Sequence, residues 1–220
     1  MTTQPVSLYG TRRGGTGDDS IIDQLRTTED RDLLVALGAP PYMEFSRRYE
    51  HLSAMNTSAL AALVVRPSTT ANFTIFNNEA AGGKSYVMDR MFAFNLVTTA
   101  AQAKQGMWYC VHKPGLASPT NDITARASGR GNGAVVTTRS VADTAMVVVD
   151  DGWFPAGNWS DVEPTGVLPG AIMEHKFEGR VIVPPQCGIS GQVISGVVGN
   201  TFTMGFSWWE IPAAKITLDA

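Results

Sequence analysis

Residues 180–212 read RVIVPPQCGISGQVISGVVGNTFTMGFSWWEIP, and this stretch decides the fold class. Across residues 201–208, polar or small residues alternate with large apolar ones. Successive side chains of a strand point to opposite faces. Phe202, Met204, Phe206 and Trp208 therefore fall on one buried face, and Thr201, Thr203 and Ser207 on the other. Upstream, Ile189, Gln192, Ile194, Val197 and Val198 lead toward Gly199 and Asn200. A Gly-Asn pair between two such runs predicts a tight hairpin, because glycine tolerates the positive φ that the turn demands. The expectation is an antiparallel β protein whose last two strands are hydrogen-bonded neighbours.

Working toward the N terminus, the same signals recur. Residues 171–177 and 180–183 read as strands, preceded by a long loop at 150–170 that carries Trp153, Phe154 and Trp159. Residues 134–139 and 144–149 are strand candidates, and 115–133 is loop-like. GMWYCVH at 106–112, the long run holding YVMDRMFAFNLVT at 85–98, the alternating 72–77 and the apolar 59–65 complete the series. This gives roughly eight to ten strands with turn signals at sandwich-like spacing. Eight strands in two sheets is the jelly-roll count, so the prediction is an all-β, jelly-roll-like antiparallel β-sandwich over residues 53–220.

Residues 1–52 read differently, as an extended and partly helical arm. Residues 1–17 are polar and rich in glycine. Ser20 then offers a helix N-cap with Asp23 in the first turn. Ile21, Ile22, Leu25, Leu33, Leu34 and Leu37 form an apolar stripe, broken around Thr27 and Thr28 and ended by Gly38, Pro40 and Pro41. One interrupted helix or two short ones are expected. Their apolar face is too small to fold alone, which makes these six residues candidates for binding a partner.

Composition narrows the function. Charged residues make up 17% of the 220-residue chain, against about 25% in soluble proteins generally. Either Thr, Ser and Asn cover the sandwich, or partners cover much of its surface. The net charge of −3 provides no basic field for nucleic acid, and the one compact basic cluster is Arg12 with Arg13. Cys110 and Cys187 are expected to be buried free thiols. The start, MTTQPVSLYGTRR, has no apolar leader, which predicts synthesis in a cytoplasm. No apolar run approaches the length of a membrane span.

The motifs that invite chemistry fall short of it. Residues 78–85, NEAAGGKS, end like a phosphate-binding loop. Such a loop needs glycine where Asn78 stands and a helix afterward, and a strand follows instead. His51, His112 and His175 match no metal-ligand spacing. Asp150 and Asp151, with Asp161 or Glu163 nearby, lack a spaced loop of oxygen ligands. Cys110 and His112 share a strand face without being aimed at each other, and Ser190-Gly191 lies in a strand rather than a nucleophile elbow. No catalytic residue, cofactor or metal is therefore expected. Trp153, Phe154 and Trp159 remain the one candidate recognition surface, unless the rings fold back onto the sandwich rim.

Four segments carry a family resemblance: EAAGGKSYVMDRMFAF at 79–94, GMWYCVHKPG at 106–115, DDGWFPAGN at 150–158, and 178–212. Together they resemble a family of uncharacterised tailed-phage virion structural proteins. The resemblance implies a jelly-roll-like capsid-associated or decoration protein, often a homotrimer, bound to the major capsid protein or other virion proteins. Its location would be the virion, after synthesis in the host cytoplasm, and no catalytic residues come with it. The alternative is a receptor- or glycan-binding head module that uses the 150–170 loop.

Overall fold

A computed structural model describes residues 51–97, 104–116, 120, 123–127, 138–161 and 172–212, with the side chains of 157–161 excepted. Nearer the N terminus it describes the backbone of four short strands. These are β1 (Tyr9–Thr11), β2 (Ile22–Gln24), β3 (Arg26–Thr27) and β4 (Leu33–Leu34), with β1 paired to β2 and β3 to β4. Ile22, Leu33 and Leu34 are thus extended where a helix was expected. The stripe is interrupted at Thr27-Thr28, and helical pieces this short cannot offset the cost of nucleation. Ile21, Leu25 and Leu37 lie outside the described residues. The chain divides into two compact units, Met1–Met43 and Glu44–Ala220. The larger one takes in Leu52, which is fully buried in its core, so the body starts ahead of residue 53.

The body contains β5 (His51–Met55), β6 (Leu60–Ala61), β7 (Thr70–Asn77), β8 (Lys84–Val97), β9 (Lys104–His112) and β10 (Arg126–Ala127). They are followed by β11 (Ser140–Val147), β12 (Phe154–Asp161), β13 (Ile172–Lys176), β14 (Ile182–Val183), β15 (Gly188–Ser195) and β16 (Thr201–Pro212). Seven strands form one sheet in the order β10-β5-β16-β8-β13, with β14 beside β8 and β6 beside β16. Five form the other, β11-β7-β15-β9-β12. Every ladder between these strands is antiparallel, and the body, over its described residues, is an all-β sandwich.

The alternation in β16 holds: Phe202, Met204, Phe206 and Trp208 are all completely buried. The hairpin does not. β15 lies between β7 and β9, whereas β16 lies between β5 and β8 in the other sheet. Gly199 does adopt a positive φ of 93°, but the turn carries the chain from one layer to the other. Ile189 and Val193 of β15 and the large residues of β16 bury their faces in one shared core. Facing layers satisfy both runs, since inner side chains interdigitate across the gap. Gly191 marks the close approach: a Cβ there would stand 2.6 Å from the Met204 Cε. Asn200 is buried in the crossover, where its Nδ2 donates to Ser195 Oγ at 3.0 Å and its carbonyl accepts from Ala62 N at 3.0 Å.

Other expectations shift at their edges. The 150–170 loop is a strand from Phe154 to Asp161, with an irregularity in register between Pro155 and Trp159. Residues 162–171 lie outside the described set. Only Leu60–Ala61 of the 59–65 run is a strand, β11 starts at Ser140, ahead of the strand expected at 144–149, and residues 134–137 of the strand expected at 134–139 lie outside the described set. Cys110 and Cys187 are buried and free. Lys84 opens β8 and its Nζ pairs with the buried Glu210 at 3.0 Å, so it is a structural cation and no phosphate-loop lysine. The Glu210 carboxylate also accepts from Thr138 Oγ1.

Candidate functional site

The sequence GMWYCVH alternates, and the sheet turns that alternation into two environments. Met107, Tyr109 and Val111 pack with the shared core. Trp108 and Cys110 join a second cluster on the opposite face of the five-stranded sheet, with Ala71, Phe76, Leu116, Val148 and Trp153. That face is covered by the segment 148–153, which links β11 to β12. Its Val148 N donates to Thr69 O at 2.9 Å, and Trp153 Nε1 donates to Ser68 O at 2.9 Å. Between them, Asp150 receives both Nη groups of Arg66, at 2.8 and 3.2 Å.

Beneath this cover lies a chain of polar side chains from three neighbouring strands. The register places Ser190 of β15 opposite Thr74 on one side and Cys110 on the other, with His112 beside Gly188. Thr74 Oγ1 and Ser190 Oγ are 2.8 Å apart, and Ser190 Oγ lies 2.8 Å from His112 Nε2. His112 Nδ1 faces Asp151 Oδ2 at 3.4 Å and Cys110 Sγ at 3.8 Å. The indole of Trp153 meets the imidazole edge-on, with centroids 6.5 Å apart. Burial lowers the His112 pKa, and the Asp151 carboxylate opposes that shift only in part. Burial pushes the Cys110 thiol up to about 11. At neutral pH the pair is therefore a thiol beside an uncharged imidazole. The carboxylate accepts from Nδ1, which leaves Nε2 to accept from Ser190 and Ser190 to accept from Thr74.

Ser190, His112 and Asp151 stand in the order of a hydrolytic triad, but the setting is wrong for one. Ser190 is completely buried in mid-strand, and β15 is laddered there on both sides. The neighbouring amides are committed to the sheet, so none is free to stabilise an oxyanion. In this conformation the network positions its members and presents no nucleophile.

The predicted recognition residues separate. Trp153 is 4% exposed, whereas Phe154 is 59% exposed. Phe154 lies at the seam where β12 meets β13. Its ring is 6.0 Å from Tyr109, which stacks on His175 at 5.7 Å and meets Phe177 edge-on at 5.1 Å. Trp159 pairs through its backbone with Gly106, and its side chain is outside the described set. His51 faces Asp89 at 3.3 Å. Among the described residues, no group of three His, Cys, Asp or Glu is arranged to hold a metal ion.

The seven-stranded sheet presents a different outer face. Met55 and Ile172 are 47% and 71% exposed. With Phe92, Phe94 and Thr203 they line an open depression of about 540 Å³, bordered by the Arg90–Glu174 ion pair. Sequence reasoning missed both this depression and the His112 network. The parity of β9 and β15 was readable, but not which strands pair or which outer face is covered. Comparisons with protein-family models, curated proteins and solved structures find no match to this chain.

Proposed function

We propose that this chain is a capsid-associated structural subunit of a bacteriophage particle, working by protein contact and without catalysis. The observation that carries the reading is the apolar outer face formed by Met55, Phe92, Phe94 and Ile172. Exposed Met55 and Ile172 beside half-buried Phe92 and Phe94 favour contact with another protein on this face. We assign it to a second copy of the chain, in a homotrimer, because the edge strands β11, β12 and β10 are poorly suited to joining edge to edge. At one edge of the five-stranded sheet, Ala145 of β11 has a left-handed φ of 53°. At the other edge, Pro155 of β12 lacks an N–H. The outermost strand β10 has two residues. Such features blunt an edge against pairing and leave faces for association.

We further take the sandwich to be a jelly roll. In support, β5-β16-β8-β13 opposes β7-β15-β9-β12, the two four-stranded layers of that fold, with β11 added beside β7. The fold is common in viral capsid domains, which accords with the sequence resemblance. Residues 1–52, through Ile21, Ile22, Leu25, Leu33, Leu34 and Leu37, would dock the subunit to major capsid protein or other virion proteins. No role for nucleic acid or membrane is included. Light-scattering mass of the full chain tests the assembly: three copies are expected, and Phe92→Glu should lower the mass. A monomer at high concentration, or an unchanged mass for Phe92→Glu, would refute the assigned face.

One observation favours a second reading. The exposed Phe154 ring beside Tyr109 is a platform on which a sugar could stack. In that case Phe154→Ala should abolish binding to glycans or host cells that the native chain shows.

A further inference from the structure

We propose that the segment 148–153 is an acid-sensitive strap, held closed over the five-stranded sheet while His112 is uncharged and released when His112 takes up a proton. The inference is independent of the assembly reading, since it concerns the covered face and not the bare one.

The geometry keys the strap to one protonation state. A neutral imidazole with its proton on Nδ1 lets Ser190 donate to Nε2 and Thr74 donate to Ser190. A second proton, on Nε2, would collide with that order, and the buried Ser190 hydroxyl would have to turn its own proton away. It would also place a cation where water does not reach, since His112 is 1% exposed. The surroundings compensate poorly. From its own strand His112 meets the Cys110 thiol, and from β15 and β7 the uncharged Ser190 and Thr74. From the strap it meets the Val149 backbone and Asp151, but Lys113 Nζ already sits 3.4 Å from the other Asp151 oxygen. Asp150 is taken by Arg66. Asp151 is thus the one carboxylate facing the ring, shared with Lys113, while Arg66 holds Asp150.

With the strap lifted, water reaches the imidazole and its affinity for protons returns toward the ordinary value, near 6.5. Closed, burial keeps that affinity lower. The open form therefore binds the proton better, and by linkage acid favours opening. The closed form has its full advantage above about pH 6.5 and loses it as the pH falls below that value. The strap has the means to move. Gly152 holds a φ of 111°, and the Arg66–Asp150 pair that clips the middle is solvent-exposed. Opening would uncover the Trp153 indole and Cys110.

Hydrogen exchange of the full-length chain tests this, corrected for intrinsic rates. Between pH 7.5 and 5, amides of 148–154 should lose at least tenfold in protection while those of β15 keep theirs. His112→Gln offers Ser190 and Asp151 an amide that does not titrate, and should abolish the pH response. Asp151→Asn removes the one favourable charge and should deepen the loss at pH 5, which decides the matter if the glutamine variant does not fold. His51→Gln should leave the response intact. Constant protection of 148–154, simultaneous loss in β15, or a response that follows His51 would overturn the proposal.

Discussion

The two sheets share one core but have unlike outer faces. The five-stranded sheet is covered by its own chain: Val148, Trp153 and Leu116 bury Cys110, and His112 lies enclosed beneath the same segment. The seven-stranded sheet leaves Met55 and Ile172 uncovered, with Phe92 and Phe94 half-buried beside them. An antiparallel sheet with one solvated face ordinarily alternates apolar inward and polar outward. The first sheet departs from that pattern and supplies its own lid. The second departs from it, and among the described residues none covers Met55 and Ile172. The contrast separates residues that act within the subunit from residues available to something outside it.

Stripping the lid should have the largest effect. Trp153→Ala removes a buried ring and the bond to Ser68, so a loss of about 3–5 kcal/mol is expected in urea denaturation. A loss below about 1 kcal/mol would mean that the covered face does not depend on its cover. Acid is a milder probe of the same face. Burial lowers the pKa values of His51, His112 and His175. The unfolded chain therefore takes up protons below about pH 6.5 that the folded one resists, and stability should fall from pH 6.5 toward pH 5. Thermal melting across that range checks the sign, and His112→Gln should flatten part of the slope. The smallest effect belongs to the bare face. Ile172→Ser should change the stability of the isolated subunit by no more than about 0.5 kcal/mol. A much larger loss would show that the bare face is covered within the chain after all.

What the sequence disclosed follows from the range of the forces involved. The burial of Phe202, Met204, Phe206 and Trp208 depends on a period of two, a local property that any strand must express. The antiparallel class and the free, buried cysteines were legible for similar reasons. The partner of β16 was not. Gly199 fixes a backbone angle, and a positive φ serves a hairpin and a crossover between layers equally well. Trp153 and Phe154 show the same limit at the site: adjacent residues entering a strand point apart, and tertiary packing alone decided that the first is buried. The contact between Ser190 and His112 joins residues far apart in the chain through the register of β9 and β15. The expected helix gave way to short strands at Ile22, Leu33 and Leu34 because its apolar stripe was too broken to sustain one.

The crossover between β15 and β16 also bears on how the molecule is made. Strands β15 and β16 occupy interior places, one in each layer, so β5, β7, β8 and β9 each wait for a neighbour translated after all of them. A nascent chain that has emerged only as far as β13 can hold β11 against β7, or β13 against β8. It cannot join β7 to β9 or β5 to β8, because the strands that belong between them do not yet exist. Folding of the body is therefore slowed by pairings that span its sequence, and apolar strand faces stay open to the cell until β15 and β16 have emerged.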